Sequence, residues 1–218
     1  MATEKTMKRN RPHTIYKNAA GKRIPGVTTV LGVLDKPALK HWANRIGLQG
    51  ISMREYVDEK AGIGTLAHYL IQCHLEGVEP ELDEYSKIEI DQAENAFLKF
   101  LDWQKVIGFE PTFCEMQLVS EALQVGGTCD AYGRINGDQV LIDLKTSGSG
   151  IWPEMKHQAS AYGAILMENG YQLDRIYIVR VGRDDAEGFE TALVDRWQKR
   201  LELFRHCRAL YDLQKELK

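Results

Sequence analysis

The sequence has few cysteines, and no two of them lie close together. Cys73, Cys114, Cys129 and Cys207 are scattered and form no CxxC pair. That argues against a zinc knuckle and supplies no disulfide framework. Reduced thiols in a cytosol are the expected state. No apolar run approaches the ~18 residues of a membrane span, so no transmembrane helix is expected. The opening stretch MATEKTMKRNRPH lacks an apolar centre and does not read as a secretory signal. The cytoplasm is the expected location. Positive charge is not in excess either: the formal net charge is −3. A uniformly basic coat for nucleic acid is therefore excluded, and any phosphate-binding surface must be local. Internal repeats and low-complexity tracts are also missing.

What is present suits a globular protein. The 218 residues, 44% hydrophobic and 27% charged, suffice for one well-buried domain or one domain with an appendage. Residues 1–24 are expected to be a basic, flexible segment, and 25–218 a single domain. Lys5, Lys8, Arg9, Arg11, Lys17, Lys22 and Arg23 face one acid, Glu4, in that segment. It reads either as a solvated tail or as an arm that contacts phosphates, with Arg9, Arg11, Lys22 and Arg23 as its DNA-binding candidates. The stretch from Glu76 to Asp91 has the opposite bias and reads as a linker and helix start.

Periodicity and punctuation predict the elements. A helix is expected from Pro37 to about Ile46, with proline in its first turn. A second is expected from Thr65 to Glu76, ended by Gly77. A third should run from about Ser86 to Val106, with Ala93, Ala96, Phe97, Phe100 and Leu101 on one face. Strands are expected over Thr112–Val119, Gly127–Ile135 and Gln139–Thr146, and a helix over Pro153–Asn169. Strands at Arg175–Val181 and Phe189–Leu193 and a closing helix from about Asp195 to Leu217 complete the order. The class is α/β with a mixed central sheet flanked by helices and an N-terminal helical extension. Strict βαβα alternation is absent.

The segment INGDQVLIDLKTS, Ile135 to Ser147, poses the chemical question. Asn136-Gly137 predicts a type I′ hairpin turn, in which Ile135 faces Asp138. Counting outward, Asp130 should face Asp143 and Thr128 should face Lys145. Alternation puts Thr128, Asp130, Tyr132, Leu141, Asp143 and Lys145 on one face. Cys129, Ala131, Ile135, Val140, Ile142 and Leu144 fall on the other, which reads as core. Two carboxylates directly across a ladder cannot both ionise cheaply without a compensating charge. Lys145 supplies one, and a divalent cation with oxygen ligands would supply more. An exposed ladder with a single salt bridge is the plainer alternative.

Other motifs join this one. GTCDAYG carries Asp130, and IDLKTS carries the D-x-K pair Asp143 and Lys145. HQASAY carries a Q-x-x-x-Y pair, Gln158 and Tyr162, and GIGTLAHYL carries His68. With PGVTTVL near the N-terminus, the ordered set resembles the PD-(D/E)xK nuclease superfamily, and within it the RecB-like exonucleases of phages and prophages. The likeness runs from Pro25 to Tyr162. It implies a restriction-endonuclease-like core in a bacterial or phage-infected cell. The implied activity is metal-dependent hydrolysis of DNA phosphodiesters from free ends, in phage DNA processing, recombination or repair. Mg²⁺ or Mn²⁺ is the implied cofactor, held by His68, Asp130, Asp143 and the Leu144 carbonyl. Lys145 would orient the nucleophilic water or offset phosphate charge. Gln158 and Tyr162, one helical turn apart, would position the site. Glu115, on the preceding strand, either adds a carboxylate or only meets solvent.

Some RecB-like relatives hold an iron–sulfur cluster through one upstream cysteine and three near the C-terminus. Here only Cys207 lies in the last helix, so no cluster is expected. Arg196, Lys199, Arg200, Arg205 and Arg208 form either a solvated face or a track for a DNA strand. Trp42, Trp103 and Trp152 are either core or stacking platforms, with Trp152 the best placed. DNA is the expected partner, single- or double-stranded; no membrane is expected, and no recombination or single-strand-binding protein is identified. A structure-selective or restriction-like endonuclease and a non-catalytic DNA-binding module remain alternatives.

Overall fold

Residues 6–7 and 14–217 are described by a computed structural model. Arg9 and Arg11, with Lys5 and Lys8, lie outside the described residues. In chain order the elements are β1 (Thr6–Met7), β2 (Tyr16–Lys17), β3 (Arg23–Ile24), α1 (Val27–Leu31), α2 (Pro37–Leu48), α3 (Met53–Glu76), β4 (Glu79–Pro80), α4 (Lys87–Ile107), β5 (Glu110–Ser120), β6 (Val125–Ile135), β7 (Asp138–Thr146), α5 (Pro153–Glu168), β8 (Arg175–Val181), β9 (Phe189–Leu193) and α6 (Trp197–Glu216).

The turn between β6 and β7 forms as its residues predict. Asn136 and Gly137 have φ of 51° and 90°, as a type I′ turn requires, and Ile135 pairs with Asp138. Five strands make one sheet in the order β5-β6-β7-β8-β9. Within this sheet only β7 and β8 run parallel, so α5 must carry the chain across between them. This is a mixed sheet flanked by helices. On one face, α1, α5 and α6 pack Val30, Ile165 and Phe204 against Tyr132, Leu141 and Ile178. On the other, α3 and α4 pack Leu66, Ile71, Ala96 and Phe100 against Ala131, Ile142 and Val179. No helix among the described residues is long and apolar enough to cross a membrane.

Local signals account for α4. Ser86 and Glu89 form a reciprocal capping box, and Gly108 ends the helix with φ of 71°. The start of α3 differs from the expected Thr65. The helix begins at Met53, where Ser52 accepts the Glu55 amide. Gly62 and Gly64 therefore lie inside it, at a cost of about 1 kcal/mol each relative to alanine. Gly64 faces the end of β7, where a Cβ would make an ordinary contact 3.5 Å from Thr146 Cβ.

The register of the central hairpin holds only near its turn. The ladder between β6 and β7 ends at Ala131 and Ile142. Asp130 and Asp143 are therefore not a cross-strand pair, nor are Thr128 and Lys145. The strands part there, and Asp130 Oδ2 accepts the Leu144 amide at 2.7 Å in place of a strand carbonyl.

The expected alternation also breaks at this point. Cys114 packs beneath α3 and α4, whereas Leu118, four residues on, packs beneath α5. In β6, Ala131 belongs to the layer of α3 and α4, but Cys129 belongs to the layer of α1, α5 and α6. Both strands change parity at Glu115 and Asp130. The visible cause is Glu115, whose φ of 47° is left-handed inside a strand.

Where it is described, the N-terminal segment packs against β6. β2 and β3 form a small antiparallel hairpin, and the Gly126 amide donates to the Pro25 carbonyl at 3.0 Å. Tyr16 lies flat on β6: a Cβ at Gly126 would fall 2.0 Å from Tyr16 Cγ. Its hydroxyl and that of Thr128 share a 2.8 Å hydrogen bond.

Candidate active site

The parted ends of β6 and β7 open a notch that α3 closes from one side. His68 projects from α3 with Nδ1 3.9 Å from Glu115 Oε1 and 3.9 Å from Asp130 Oδ1. One potential ligand atom from each of these three residues lies within 4.8 Å of the others. A nitrogen and two carboxylate oxygens suit a divalent cation such as Mn²⁺ or Mg²⁺. Glu115 reaches the cluster because of its backbone. A non-glycine residue in the left-handed region costs on the order of 1–3 kcal/mol, and such strain gathers at functional sites.

Electrostatics couple these groups. Burial pushes the Asp130 carboxyl up, with Glu115 adding, while His68 and Lys145 oppose. Burial pulls His68 down, but Glu115 and Asp130 outweigh it, so its net shift is upward.

Asp143 stands behind the cluster and is not a member of it. It is 1% exposed, and Lys145 Nζ lies 2.6 Å from its Oδ2. No other group among the described residues hydrogen-bonds to its oxygens. Burial pushes its carboxyl up to about 6, against the pull of Lys145, with Asp130 adding to the rise. Lys145 is lowered by burial but raised more by Asp143 and Asp130. The D-x-K pair is thus a buried acid that holds a lysine at the notch.

Gln158 and Tyr162 do meet on one face of α5. Gln158 Nε2 donates to the Tyr162 hydroxyl at 2.8 Å. Tyr162 covers Gly127, where a Cβ would fall 2.5 Å from its ring. Burial, then Asp143 and Asp130, push its phenol well above the ordinary range. The pair buttresses the parted strands and does not line the notch.

The notch is a cavity of about 1060 Å³ lined by His68, Glu115, Asp130, Leu144 and Lys145. Arg23 lines it too, whereas Lys22 lies outside it on the hairpin. Trp152 is 46% exposed, donates to Ser149 Oγ, and stands apart from the cavity. Of the C-terminal cations, Lys199, Arg200 and Arg208 are engaged by Glu202, Asp195 and Asp212.

Sequence reading missed several lining residues. Tyr16, Tyr211 and Lys215 border the cavity, yet no motif marks them. It also missed Arg180, buried opposite Lys145 in the parallel pair. Arg180 Nη1 donates to the Ser147 carbonyl at 2.9 Å and so pins the loop that follows Lys145.

The chain matches no protein-family model and no curated protein. Solved structures similar to it include a provisionally named exonuclease from Eubacterium rectale. That likeness has 13% identity and a TM-score of 0.48, and covers 66% of this chain and 64% of that one. The structure of SSO0001 is similar at 17% identity and a TM-score of 0.33, over 66% of this chain and 73% of that one.

Proposed function

We propose that this protein is a divalent-metal-dependent deoxyribonuclease of the PD-(D/E)xK type, hydrolysing DNA phosphodiesters from free ends. One observation carries the reading: His68, Glu115 and Asp130 gather their ligand atoms within 4.8 Å in the cavity that Lys145 also lines. His68, Glu115 and Asp130 would hold Mg²⁺ or Mn²⁺. A bound ion supplies an acidified water and positive charge against the phosphate.

The remaining work falls to the chain's own side chains. A phosphodiester is anionic and repels an attacking hydroxide, so the site must present cations. Lys145 is kept protonated by Asp143 and Asp130 and can donate to a phosphoryl oxygen or to the nucleophilic water. Asp143, buried and 2.6 Å away, fixes where that ammonium sits. The Leu144 amide orients Asp130 through its 2.7 Å hydrogen bond, so this carboxylate faces the cavity in one pose. Such fixed charges act where charge develops in the transition state, without reorganisation.

The preference for ends comes from the sequence resemblance alone. The test is end-labelled linear and covalently closed circular DNA, single- and double-stranded, with Mg²⁺, Mn²⁺ or EDTA. Loss of linear DNA with metal, and of neither form in EDTA, is expected. Cleavage that persists in EDTA overturns the metal requirement. Equal loss of circles makes the enzyme an endonuclease, and binding without cleavage makes it a non-catalytic module.

A further inference from the structure

The outer wall of the cavity is built from two distant parts of the chain. The β2–β3 hairpin contributes Arg23, and the last turns of α6 contribute Tyr211 and Lys215. Charge is layered across this space. The acids Glu115 and Asp130 lie at the base, largely covered, at 17% and 14% side-chain exposure. Arg23 and Lys215 are exposed at the rim. Among the described residues no carboxylate pairs with either rim cation, whereas Lys199, Arg200 and Arg208 are each paired with an acid. Two cations without a carboxylate partner beside a cavity with an acidic, metal-competent base suit a polyanion led towards an ion.

Tyr211 adds a second kind of recognition. It rests against the layer of α5 and α6 and also borders the cavity. Lys215 is one helical turn further on, so both side chains project from the same side of α6. Lys215 Nζ stands 5.6 Å from the Tyr211 ring centroid. Arg208, anchored by Asp212 and by the Leu123 carbonyl, stands 5.6 Å from it as well. Both cations stand over this ring; once the exposed Lys215 turns from the ring to a phosphate, the pair matches one nucleotide, with a base face to stack and a phosphate to neutralise.

We infer that Tyr211, with Lys215 and Arg23, seats an unpaired nucleotide, and that the cavity therefore selects single strands. The inference rests on the nuclease reading of the same cavity and names its substrate. Size agrees. A volume of about 1060 Å³ lies at the upper end of small-molecule pockets, about 300–1,000 Å³, room for a few nucleotides of one strand. Base chemistry agrees too. Within a duplex, away from its ends, the base faces are stacked on one another and only edges show in the grooves, so there Tyr211 has no face to meet until a strand is free.

Binding is read by fluorescence anisotropy in EDTA, where the proposed metal-dependent cleavage cannot intervene. The probes are a labelled oligothymidylate of about ten nucleotides, within the usual single-strand site size, and a blunt hairpin duplex. Tyr211→Ala should weaken the oligonucleotide about 5- to 100-fold, the usual value of one stacked base, and leave the duplex unchanged. Tyr211→Phe should bind both as wild type does. Lys215→Gln should lower the slope of log affinity against log salt for the single strand by about 0.7, one phosphate contact. Wild-type affinity in Tyr211→Ala, or equal loss on both probes, overturns the inference. If Tyr211→Ala proves unfolded in a thermal melt, Lys215→Gln decides, and an unchanged salt slope overturns it. Selective strand binding without cleavage under any metal would leave this inference standing and end the nuclease reading. Cleavage with no strand preference in wild type would do the reverse.

Discussion

Asp143 offers a direct measurement of what the buried acid costs. Its carboxyl is pushed from 3.8 to about 6 in the folded protein, chiefly by burial. In the unfolded chain it returns to the ordinary value near 4. A folded-state pKa that is raised means the native state binds the extra proton. The stability that this proton confers is complete below the unfolded value and is lost as pH rises through the folded one. Two units correspond to about 3 kcal/mol at 1.36 kcal/mol each. Asp143→Asn removes the titration and nearly keeps the shape. Urea unfolding of wild type and variant, in EDTA, would be followed from pH 4 to pH 7.5. Titrating groups away from the site cancel in the difference, and Asp130 still stands by to keep Lys145 charged. The wild-type free energy of unfolding, minus that of the variant, should fall by about 2.4 kcal/mol over this range, since the unfolded carboxyl is already half ionised at pH 4, and most steeply between pH 4 and 6. A fall of less than about 1 kcal/mol, the value of a single pKa unit, would refute the burial argument. A rise with pH would mean that Lys145 stabilises the carboxylate more than burial harms it.

Glu115 should show opposite effects on metal binding and on strain. Glu115→Gly and Glu115→Ala should both shrink the rise in melting temperature caused by Mn²⁺. In EDTA the glycine variant should be the more stable of the two by about 1 kcal/mol, because only it accepts a positive φ freely; equal stabilities would mean that the backbone is unstrained. Gly126→Ala should cost about 1–3 kcal/mol by driving a methyl into Tyr16, and Tyr16→Ala in the same chain should recover part of that loss. Strict additivity in that cycle would show that the hairpin does not rest on β6. Lys145→Ala should abolish turnover while DNA affinity stays within a few-fold, since Lys145 acts chiefly on the transition state. A parallel collapse of affinity would make it a ground-state phosphate anchor instead.

Much of this architecture is written in short-range signals. Asn136-Gly137 specifies the hairpin because few residues other than glycine and asparagine accept positive φ. Ser86 with Glu89, and glycines at 77 and 108, bound helices for equally local reasons. The strands Arg175–Val181 and Phe189–Leu193 occur over the residues that their apolar pattern predicts. His68, Asp130 and Lys145 are likewise recognisable from motif order alone.

Tertiary structure decided who meets whom. Alternation, extended outward from the turn, sets Asp130 against Asp143. The ladder stops one pair short of them, and an acid already paired to Lys145 is replaced in the cluster by Glu115. No local rule announces that replacement, because it depends on a left-handed residue in one strand and on α3 packing against the end of β7. The cavity wall is still less local. Arg23 and Tyr211 share it only because the N-terminal hairpin and α6 both end at the parted strands. Turns and caps are settled by a few neighbouring dihedrals, so the sequence alone determines them. A site made where strand pairing fails depends on packing from both ends of the chain, and only the folded molecule brings those ends together.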